Sequence, residues 1–357
     1  MSRFWTTFIR SLLGLWVWGM LAACGRAVVP SATALPTPVV LTEAPKPSVR
    51  ATASPPAGPT APPAAWVVVQ PEGVAADARA WAEGTRAWAE AAGLRWVTVP
   101  DLDAAGAQAP VTGLVALPPV EVRAALGWAV AHPEARVLAW AAGPDALPPT
   151  EDIPPNATVV VAEPLTWEQR FFLAGYTAVL AAPNWRAGLL YTSPPGYGAA
   201  AIMEVFARGA QFWCGPCVPA YPPMVAYPFA VEVPPGVTDP AAWQDAARNL
   251  LAQAPLEAVY LRGQPATATV AWFHEQGVTV IWDGGPNPDA DVAVYADPWR
   301  DLDADWATAW LAGEAPRVQW AAWVVEAASP DAFSPGRARL VHDLVAALRE
   351  GRVAPTP

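Results

Sequence analysis

Short, continuously apolar segments alternate with alanine-rich segments of helical period from Trp66 onward, and this alternation limits the chain to few folds. The apolar segments predict strands at Trp66–Val69, Arg95–Val99, Gly113–Leu117, Arg136–Trp140, Thr158–Val161, Ala187–Tyr191, Ala258–Leu261, Val278–Trp282 and Val292–Tyr295. The intervening segments predict helices at Ala75–Ala92, Pro119–Ala131, Thr166–Ala181, Ala199–Arg208, Pro240–Ala252 and Thr267–Gln276. Strands that are apolar throughout are typical of a sheet covered on both faces. Strand–helix alternation is typical of parallel strands, so the sequence predicts an α/β fold with parallel sheets.

Two of the predicted helices begin with capping signals. Thr166 is followed by an acid and an amide in the first turn, and Asp239 is followed by Pro240. Side-chain oxygens at these positions accept hydrogen bonds from the free backbone N–H groups of the first turn. A last helix is predicted at Pro335–Arg349, with an apolar stripe at Leu340, Val341, Leu344, Val345 and Leu348. We expect this stripe to dock the helix onto the body.

The first residues have the layout of a secretory signal. Arg3 and Arg10 precede an apolar run, Leu12 to Ala23, that is too short to cross a bilayer as an ordinary helix. The run ends in Leu21-Ala22-Ala23-Cys24-Gly25. This ending resembles the lipobox of bacterial lipoproteins, in which the cysteine becomes the first mature residue and carries the lipid. We therefore expect residues 1–23 to be a signal peptide and Cys24 to be the site of lipid attachment.

The segment after Cys24 is rich in Pro, Ala, Thr and Ser and has no helical or strand period. Such a composition buries too little apolar surface to fold, so we expect residues 24–65 to form a lipidated, extended linker. At about 3.1 Å per residue in polyproline II, some 35 residues reach on the order of 100 Å. The sequence thus predicts an extracytoplasmic body held at the cell membrane by a lipid anchor and a long tether.

Charge and motif content exclude several functional classes. The formal net charge of −11 argues against nucleic acid as a partner and against electrostatic docking on anionic lipid. The histidines are isolated and lack metal-ligand spacing, and no phosphate-binding loop, nucleophile elbow or paired catalytic carboxylates occur. We expect a protein without metal or cofactor that is not an enzyme.

Several segments of the second half carry a family resemblance. They are Pro155–Ala157, Glu168–Leu180, Arg186–Tyr191, Phe206–Ala210, Val278–Asp283 and Leu340–Pro355. In order and spacing they resemble the basic membrane lipoprotein (Bmp) family of substrate-binding proteins, of the type I periplasmic-binding superfamily. The resemblance implies an α/β fold of two Rossmann-like lobes with parallel sheets, joined by three crossovers around a central cleft.

The resemblance also implies how the chain is divided. Residues 66–162 and 298–320 are expected to form an N-terminal lobe, residues 163–297 a C-terminal lobe, and residues 321–357 a C-terminal segment with the docking helix. A ligand is expected at the carboxyl ends of the strands, where open α/β sheets place their sites. Closure of the lobes would bury it and produce the form that a membrane transporter recognises.

Candidate ligand-binding residues follow the predicted strands. The resemblance implies that Asp283 accepts hydrogen bonds from ligand hydroxyls; the alternative is a turn residue before Gly284-Gly285. Two candidates lie in the loop after the predicted strand Ala187–Tyr191. Tyr197 could stack on a ligand ring, and Ser193 could form a hydrogen bond to the ligand. Gly263 follows the next strand in a similar way; for these loop residues a plain turn is the alternative.

The first strand is followed by Gln70-Pro71-Glu72-Gly73 instead of the family's D-x-(S/G)-F-N loop. Gln70 and Glu72 are our candidates for ligand contacts at this place. A late strand ends in Asp297, where the family often has Lys. These departures leave a nucleoside-like ligand and another small polar ligand as alternatives.

The segment Trp213-Cys214-Gly215-Pro216-Cys217 has the spacing of the thioredoxin active site. In that fold the first cysteine begins a helix, which lowers its pKa. Here the motif follows a predicted helix and precedes a proline-rich run that cannot continue as a helix. We therefore expect a disulfide between Cys214 and Cys217 that pins an irregular loop.

The favoured hypothesis is a lipid-anchored solute-binding protein of an ABC-type importer, with the importer's permease and a small-molecule ligand as partners. One alternative is a ligand-sensing or structural surface lipoprotein without a transport role. A thiol oxidoreductase outside the cytoplasm is a further alternative.

Overall fold

A computed structural model of the chain describes residues 64–108, 110–219, 224–265 and 267–356, all within one compact unit, residues 61–357. The predicted signal peptide, Cys24 and the linker up to residue 63 lie outside the described residues. Of the helices that can be described, none combines the length and the apolarity that crossing a bilayer requires.

The first sheet contains six strands, which are β1 (Ala65–Val69), β2 (Arg95–Val99), β3 (Val111–Ala116), β4 (Arg136–Ala141), β5 (Ala157–Val161) and β11 (Val318–Trp320). They are parallel and lie in the order β11-β5-β4-β3-β1-β2. The helices α1 (Ala76–Ala91) and α8 (Ala304–Ala312) pack on one face. The helices α2 (Leu102–Gly106) and α3 (Val122–Ala131) pack on the other.

The second sheet contains β6 (Ala187–Tyr191), β7 (Phe229–Glu232), β8 (Ala258–Arg262), β9 (Thr279–Asp283), β10 (Val292–Asp297) and β12 (Ala322–Ala327). Their order is β12-β10-β9-β8-β6-β7, and only β12 is antiparallel to its neighbour. The helices of this lobe are α4 (Trp167–Ala181), α5 (Ala199–Cys214), α6 (Pro240–Gln253), α7 (Thr267–Glu275) and α9 (Pro335–Arg349).

The chain passes between the two sheets three times. It leaves the first sheet after β5 through residues 162–166, returns after β10 through residues 298–303, and leaves again at Ala321 between β11 and β12. The result is the predicted fold class, an α/β fold of two lobes with mainly parallel sheets. The carboxyl ends of β5, β9 and β10 border one cavity between the two sheets, where open α/β sheets place their sites.

Helices α4 and α5 touch backbone to backbone through two glycines. A Cβ atom on Gly175 would lie 1.9 Å from the carbonyl oxygen of Phe206, and one on Gly209 would lie 1.8 Å from that of Phe172. The predicted end of helix α5 at Arg208 was therefore wrong. Gly209 permits close helix packing there, and α5 continues to Cys214, where Gly215 adopts φ +65°.

The predicted helix caps are confirmed. Thr166 accepts a hydrogen bond from the Gln169 backbone N–H while the Gln169 side chain accepts one from the Thr166 N–H, which completes a capping box. Asp239 caps α6 in front of Pro240. Helix α9 buries its predicted stripe except for the partly exposed Leu340, and Val341 and Leu348 are fully enclosed.

The short elements β7, β11, β12 and α2 have no counterpart in the sequence-based prediction. Strands β7 and β11 are only partly buried and lack the continuous apolar pattern of the other strands. Strand β12 pairs antiparallel with β10 at the border of its sheet.

Candidate ligand-binding cleft

A buried charge cluster lies at the cleft edge of the second sheet. Asp283 ends β9, Arg262 ends β8, and Arg170 projects from the first turns of α4. Both guanidinium groups bind the Asp283 carboxylate; Arg170 Nε donates to Oδ2 at 3.2 Å, and Arg170 Nη2 and Arg262 Nη1 donate to Oδ1 and Oδ2. The Asp283 side chain has no accessible surface. A carboxylate can be buried only when its charge is compensated in this way.

The cluster fixes the charge states of its members. Burial by itself would raise the pKa of Asp283, but the two guanidinium groups outweigh burial and hold the pKa of this carboxyl below its ordinary value. Burial likewise opposes the charge of Arg170, yet Asp283 raises the pKa of Arg170 above the ordinary value. Arg170 is therefore a permanent cation of fixed orientation.

Arg170 also contacts the first crossover. Its Nη1 contacts Oε2 of Glu163, which stands in the crossover directly after the first sheet. The other oxygen, Glu163 Oε1, is buried and accepts no hydrogen bond from any described residue. Glu163 thus offers a free acceptor next to a fixed cation.

Two chambers open on either side of the pair Glu163–Arg170. The Trp299 chamber has a volume of about 440 Å³ and is lined by Asp77, residues 162–163, Arg170, residues 284–286 and residues 295–299. The Asp145 chamber has a volume of about 430 Å³ and is lined by residues 142–146, Glu163, residues 165–167 and Arg170. The Trp299 chamber lies where strands of both sheets end, and the Asp145 chamber lies where β4 and β5 of the first sheet end. Each has the size of a small-molecule site.

Tryptophan forms the wall of the Trp299 chamber on the N-terminal lobe. Trp299 stacks on Trp81 with a centroid distance of 5.1 Å and lies 5.0 Å from the ring of Trp140. Its Nε1 donates to Asp77 Oδ2 at 3.1 Å, and its backbone N–H donates to Asp297 Oδ1 at 3.0 Å. These contacts hold a flat aromatic face and two carboxylates on one side of the chamber.

The predicted residue Asp283 is at the cleft edge, but it is enclosed behind Arg170. Direct contact between Asp283 and a ligand stays a prediction. The structure favours an indirect role, in which Asp283 orients the guanidinium group that lines both chambers.

Tyr197 lies in a third, smaller pocket of about 250 Å³, together with Trp167, Phe171 and Ile202. The Tyr197 hydroxyl donates to Glu168 Oε1 at 2.6 Å, and this hydrogen bond raises the pKa of Tyr197 to about 12. Trp167 also lines the Asp145 chamber, so this pocket adjoins the cleft.

The remaining predicted ligand residues do not line either chamber in the described part of the chain. Ser193 is buried in the loop after β6. Gly263 has φ +129°, and a Cβ there would lie 2.8 Å from Thr192 Oγ1, so close packing explains this glycine. Gln70 is half-buried and Glu72 exposed after β1. Their contact with a ligand stays a prediction.

Cys214 and Cys217 are joined by a disulfide at the carboxyl end of α5. Cys214 is half-buried and Cys217 fully buried. The partial charge at a helix C-terminus is negative and disfavours a thiolate, whereas activated cysteines stand at helix N-termini. The position of Cys214 therefore favours a structural disulfide over thiol catalysis.

Comparison with solved structures places the chain among two-lobed α/β proteins. A solute-binding protein of an ABC transporter system from Conexibacter woesei superposes with a TM-score of 0.53 at 16% identity, covering 82% of this chain and 99% of that one. A transcriptional activator of the comK gene from Bacillus halodurans superposes with a TM-score of 0.51 at 13% identity, covering 82% and 100%. No protein-family model and no curated protein matches the chain, so the Bmp resemblance is not confirmed. The two structures share the fold and differ in described function, so the fold alone does not select a function.

Proposed function

We propose that this chain is a lipid-anchored, extracytoplasmic solute-binding protein of an ABC-type importer, and that it captures a small polar ligand between its lobes. The observation that carries the proposal is the pair of chambers around Glu163 and Arg170. They lie at the strand ends where open α/β sheets bind ligands, between lobes joined by crossovers that can act as hinges.

The lining of the chambers supports a neutral ligand with several hydroxyl groups. Asp77, Glu163 and Asp297 border the Trp299 chamber, and Asp145 borders the other. These carboxylates accept hydrogen bonds from hydroxyls and repel anions, while Arg170 donates to oxygen. A nucleoside-like molecule or another polyhydroxylated molecule satisfies these groups.

The ring of Trp299 supports a ligand with one flat, weakly polar face. The ring is already held by Trp81, Trp140 and Asp77, so a ligand that stacks on it does not have to order the side chain first. Preorganisation of this kind increases affinity because less side-chain entropy is lost on binding.

The moving bodies in this proposal are the predicted lobes, residues 66–162 with 298–320 and residues 163–297 with the C-terminal segment. The Trp299 chamber is lined by Asp77 and Trp299 of the first body and by Arg170 of the second. A ligand that contacts residues of both bodies favours the closed arrangement, as a population shift requires. The predicted anchor at Cys24 and the linker would hold this body at the membrane, next to a permease.

Ligand binding is tested by a thermal-shift screen of neutral nucleosides, sugars and polyols, followed by calorimetric titration of each hit. We expect Trp299→Ala and Glu163→Gln to weaken binding of a hit at least tenfold, because each removes one direct contact. Trp185→Ala and Glu151→Gln are matched controls on exposed residues outside the chambers, and they should leave the affinity unchanged. A screen without any hit, or cleft variants that bind like the controls, would contradict the proposal.

One alternative has an observation in its favour. The likeness to a transcriptional activator means that a protein of this fold need not serve transport. A ligand-sensing surface lipoprotein would bind the same ligand in the same cleft. Crosslinking of the ligand-loaded protein in its native membrane separates the two, because only a receptor for an importer should be captured with a permease.

A further inference from the structure

Exposed apolar side chains are concentrated at one end of the C-terminal lobe. Phe212 and Met224 expose 56% and 67% of their surface. Together with four neighbours they form the distal surface, which we define as Trp185, Phe212, Trp213, Val218, Met224 and Val225. Exposed apolar residues scattered singly are ordinary, but a cluster of this kind indicates a contact with something else.

The topology places this surface far from the cleft. Trp185 immediately precedes β6, and Phe212 and Trp213 end α5. In a parallel α/β lobe the helices run opposite to the strands, so helix ends and strand starts lie at the same edge. That edge is opposite to the one at which β8 and β9 bring Arg262 and Asp283 together. The distal surface is therefore separate from the proposed ligand site.

A groove of about 520 Å³ runs into the distal surface beside Trp185 and Trp213. Its apolar lining includes Val179, Leu180, Ala182, Pro183 and Leu340, and it also carries Arg337 and Arg339. No carboxylate is among the described residues that line it. Neither arginine forms an ion pair or side-chain hydrogen bond with a described residue. An apolar lining that also carries cations matches an amphiphile that has a negative head group.

Charged groups of both signs surround the groove, and the exposed Asp331 stands three residues before Ser334 in its lining. Arg186 follows Trp185 directly, and Glu257 binds the backbone N–H of Asn184. Asp343 stands one turn after Arg339 on α9 and contributes, after burial, to the raised pKa of Tyr176. The lining of the groove carries two arginines and no carboxylate among the described residues, so the groove itself is cationic although the whole chain has a net charge of −11. At physiological ionic strength charges act over roughly 8 Å, so the local balance decides a surface contact.

We propose that the distal surface lies on the phospholipid bilayer, with its aromatic and aliphatic side chains in the head-group region and Arg337 and Arg339 on lipid phosphates. Tryptophan and phenylalanine favour this region, and arginine pairs with phosphate. The contact itself is independent of the proposed anchor. A lipid anchor at Cys24 would strengthen this bilayer contact, because the tether raises the effective concentration of the body at the membrane. Even a weak contact would then be occupied.

The test uses the full chain with Cys24→Ser, so that no lipid is attached and all variants share the same N-terminal segment. Flotation with phosphatidylcholine vesicles containing 30 mol% phosphatidylglycerol is compared for the parent, for Trp185→Ser with Trp213→Ser, and for Arg337→Gln with Arg339→Gln. The double variant Trp185→Ser with Trp213→Ser should bind at least tenfold more weakly, because it buries less apolar surface in the bilayer. The double variant Arg337→Gln with Arg339→Gln should bind about 25-fold more weakly, because each basic side chain near an anionic surface contributes roughly a factor of five.

Matched controls make the same kinds of substitution outside the distal surface. Val130→Ser alters an exposed apolar residue of the N-terminal lobe, and Arg123→Gln with Arg317→Gln removes the same charge from exposed sites. Both should float like the parent. All altered residues are at least partly exposed, so melting temperatures should agree and confirm that the variants fold.

The proposal is overturned if the distal variants float like the controls, or if the parent binds vesicles without anionic lipid equally well. It is also overturned if ultracentrifugation without vesicles shows a dimer that Trp185→Ser with Trp213→Ser dissociates, because the surface would then cover a second copy. Ligand titration of the same variants separates this proposal from the receptor function, since the cleft is unchanged in all of them.

Discussion

Replacement of Asp283 by Asn tests the buried charge cluster most directly. The variant keeps the shape of the side chain but leaves the guanidinium groups of Arg170 and Arg262 without their shared counter-charge. Removal of one partner from a buried ion pair costs about 3–5 kcal/mol. With an unfolding entropy of roughly 2.1 cal/mol/K per residue over about 290 residues, 4 kcal/mol lowers the melting temperature by about 7 °C. If the C-terminal lobe unfolds alone, the shift is about twice as large.

The effect of Asp283→Asn should depend on pH in a defined direction. The folded pKa of Asp283 lies below the ordinary value of 3.8, so its carboxylate stabilises the fold above that pH. This contribution is lost as the pH falls through the folded pKa. The difference in melting temperature between the parent and Asp283→Asn should therefore be constant from neutral pH to about pH 5 and should narrow below about pH 4.

The assay is differential scanning calorimetry between pH 3 and pH 7. Asp245→Asn is the matched control, because Asp245 pairs with Arg248 on an exposed helix face. Surface pairs of this kind contribute little, so its melting temperature should stay within about 1 °C of the parent's. Should Asp283→Asn melt like Asp245→Asn at pH 7, the cluster would not be the compensated buried site described above.

The other predictions concern packing, capping and the disulfide. Gly209→Ala should lower the free energy of unfolding by at least about 3 kcal/mol in a urea titration, because its Cβ meets backbone, whereas Gly84→Ala, which has open space, should raise it by about 0.5–1 kcal/mol. Thr166→Ala should cost about 1 kcal/mol in the same titration through loss of the capping box, and an unchanged midpoint would contradict this. Cys214→Ser should lower stability by roughly 2 kcal/mol, as a short closed loop predicts, and the parent should show no insulin-reduction activity above buffer.

The central strands could be predicted from the sequence because they are buried on both faces. Strand β6 is fully enclosed, and its residues are accordingly apolar throughout. Strand β11 could not be predicted from burial, because its three residues are only half-buried. They are extended because they pair with β5 in the sheet. Pairing between distant parts of the chain leaves no local pattern in so short a strand.

The end of α5 illustrates a second limit. In isolation Gly209 indicates a helix end, because glycine disfavours helix interiors. The contact that requires glycine comes from Phe172 on another helix, and the local sequence does not contain that information. Tertiary packing here overrides propensity.

The candidate site was only partly predictable for the same reason. The family resemblance implied a role for Asp283 at the site, but neither it nor the residue pattern indicated Arg170 or Trp299. Arg170 did carry a signal. It precedes a continuously buried stretch of α4, and a cation at such a place needs a carboxylate from elsewhere in the fold. Trp299 acquires its role only by stacking on Trp81, more than two hundred positions earlier in the chain.

The cost of burying charge explains why the cluster bears on function. Apolar residues of similar volume can replace a buried ion pair without loss of stability, so the fold itself does not require Arg170, Arg262 and Asp283. What the three residues provide is a cation of fixed direction at the junction of two chambers, with one side held by Asp283 and the other facing Glu163. A guanidinium group fixed in this way is useful to a ligand that must be held in one orientation while the lobes close. Under the proposed function, the buried charges serve recognition of a ligand rather than stability of the C-terminal lobe.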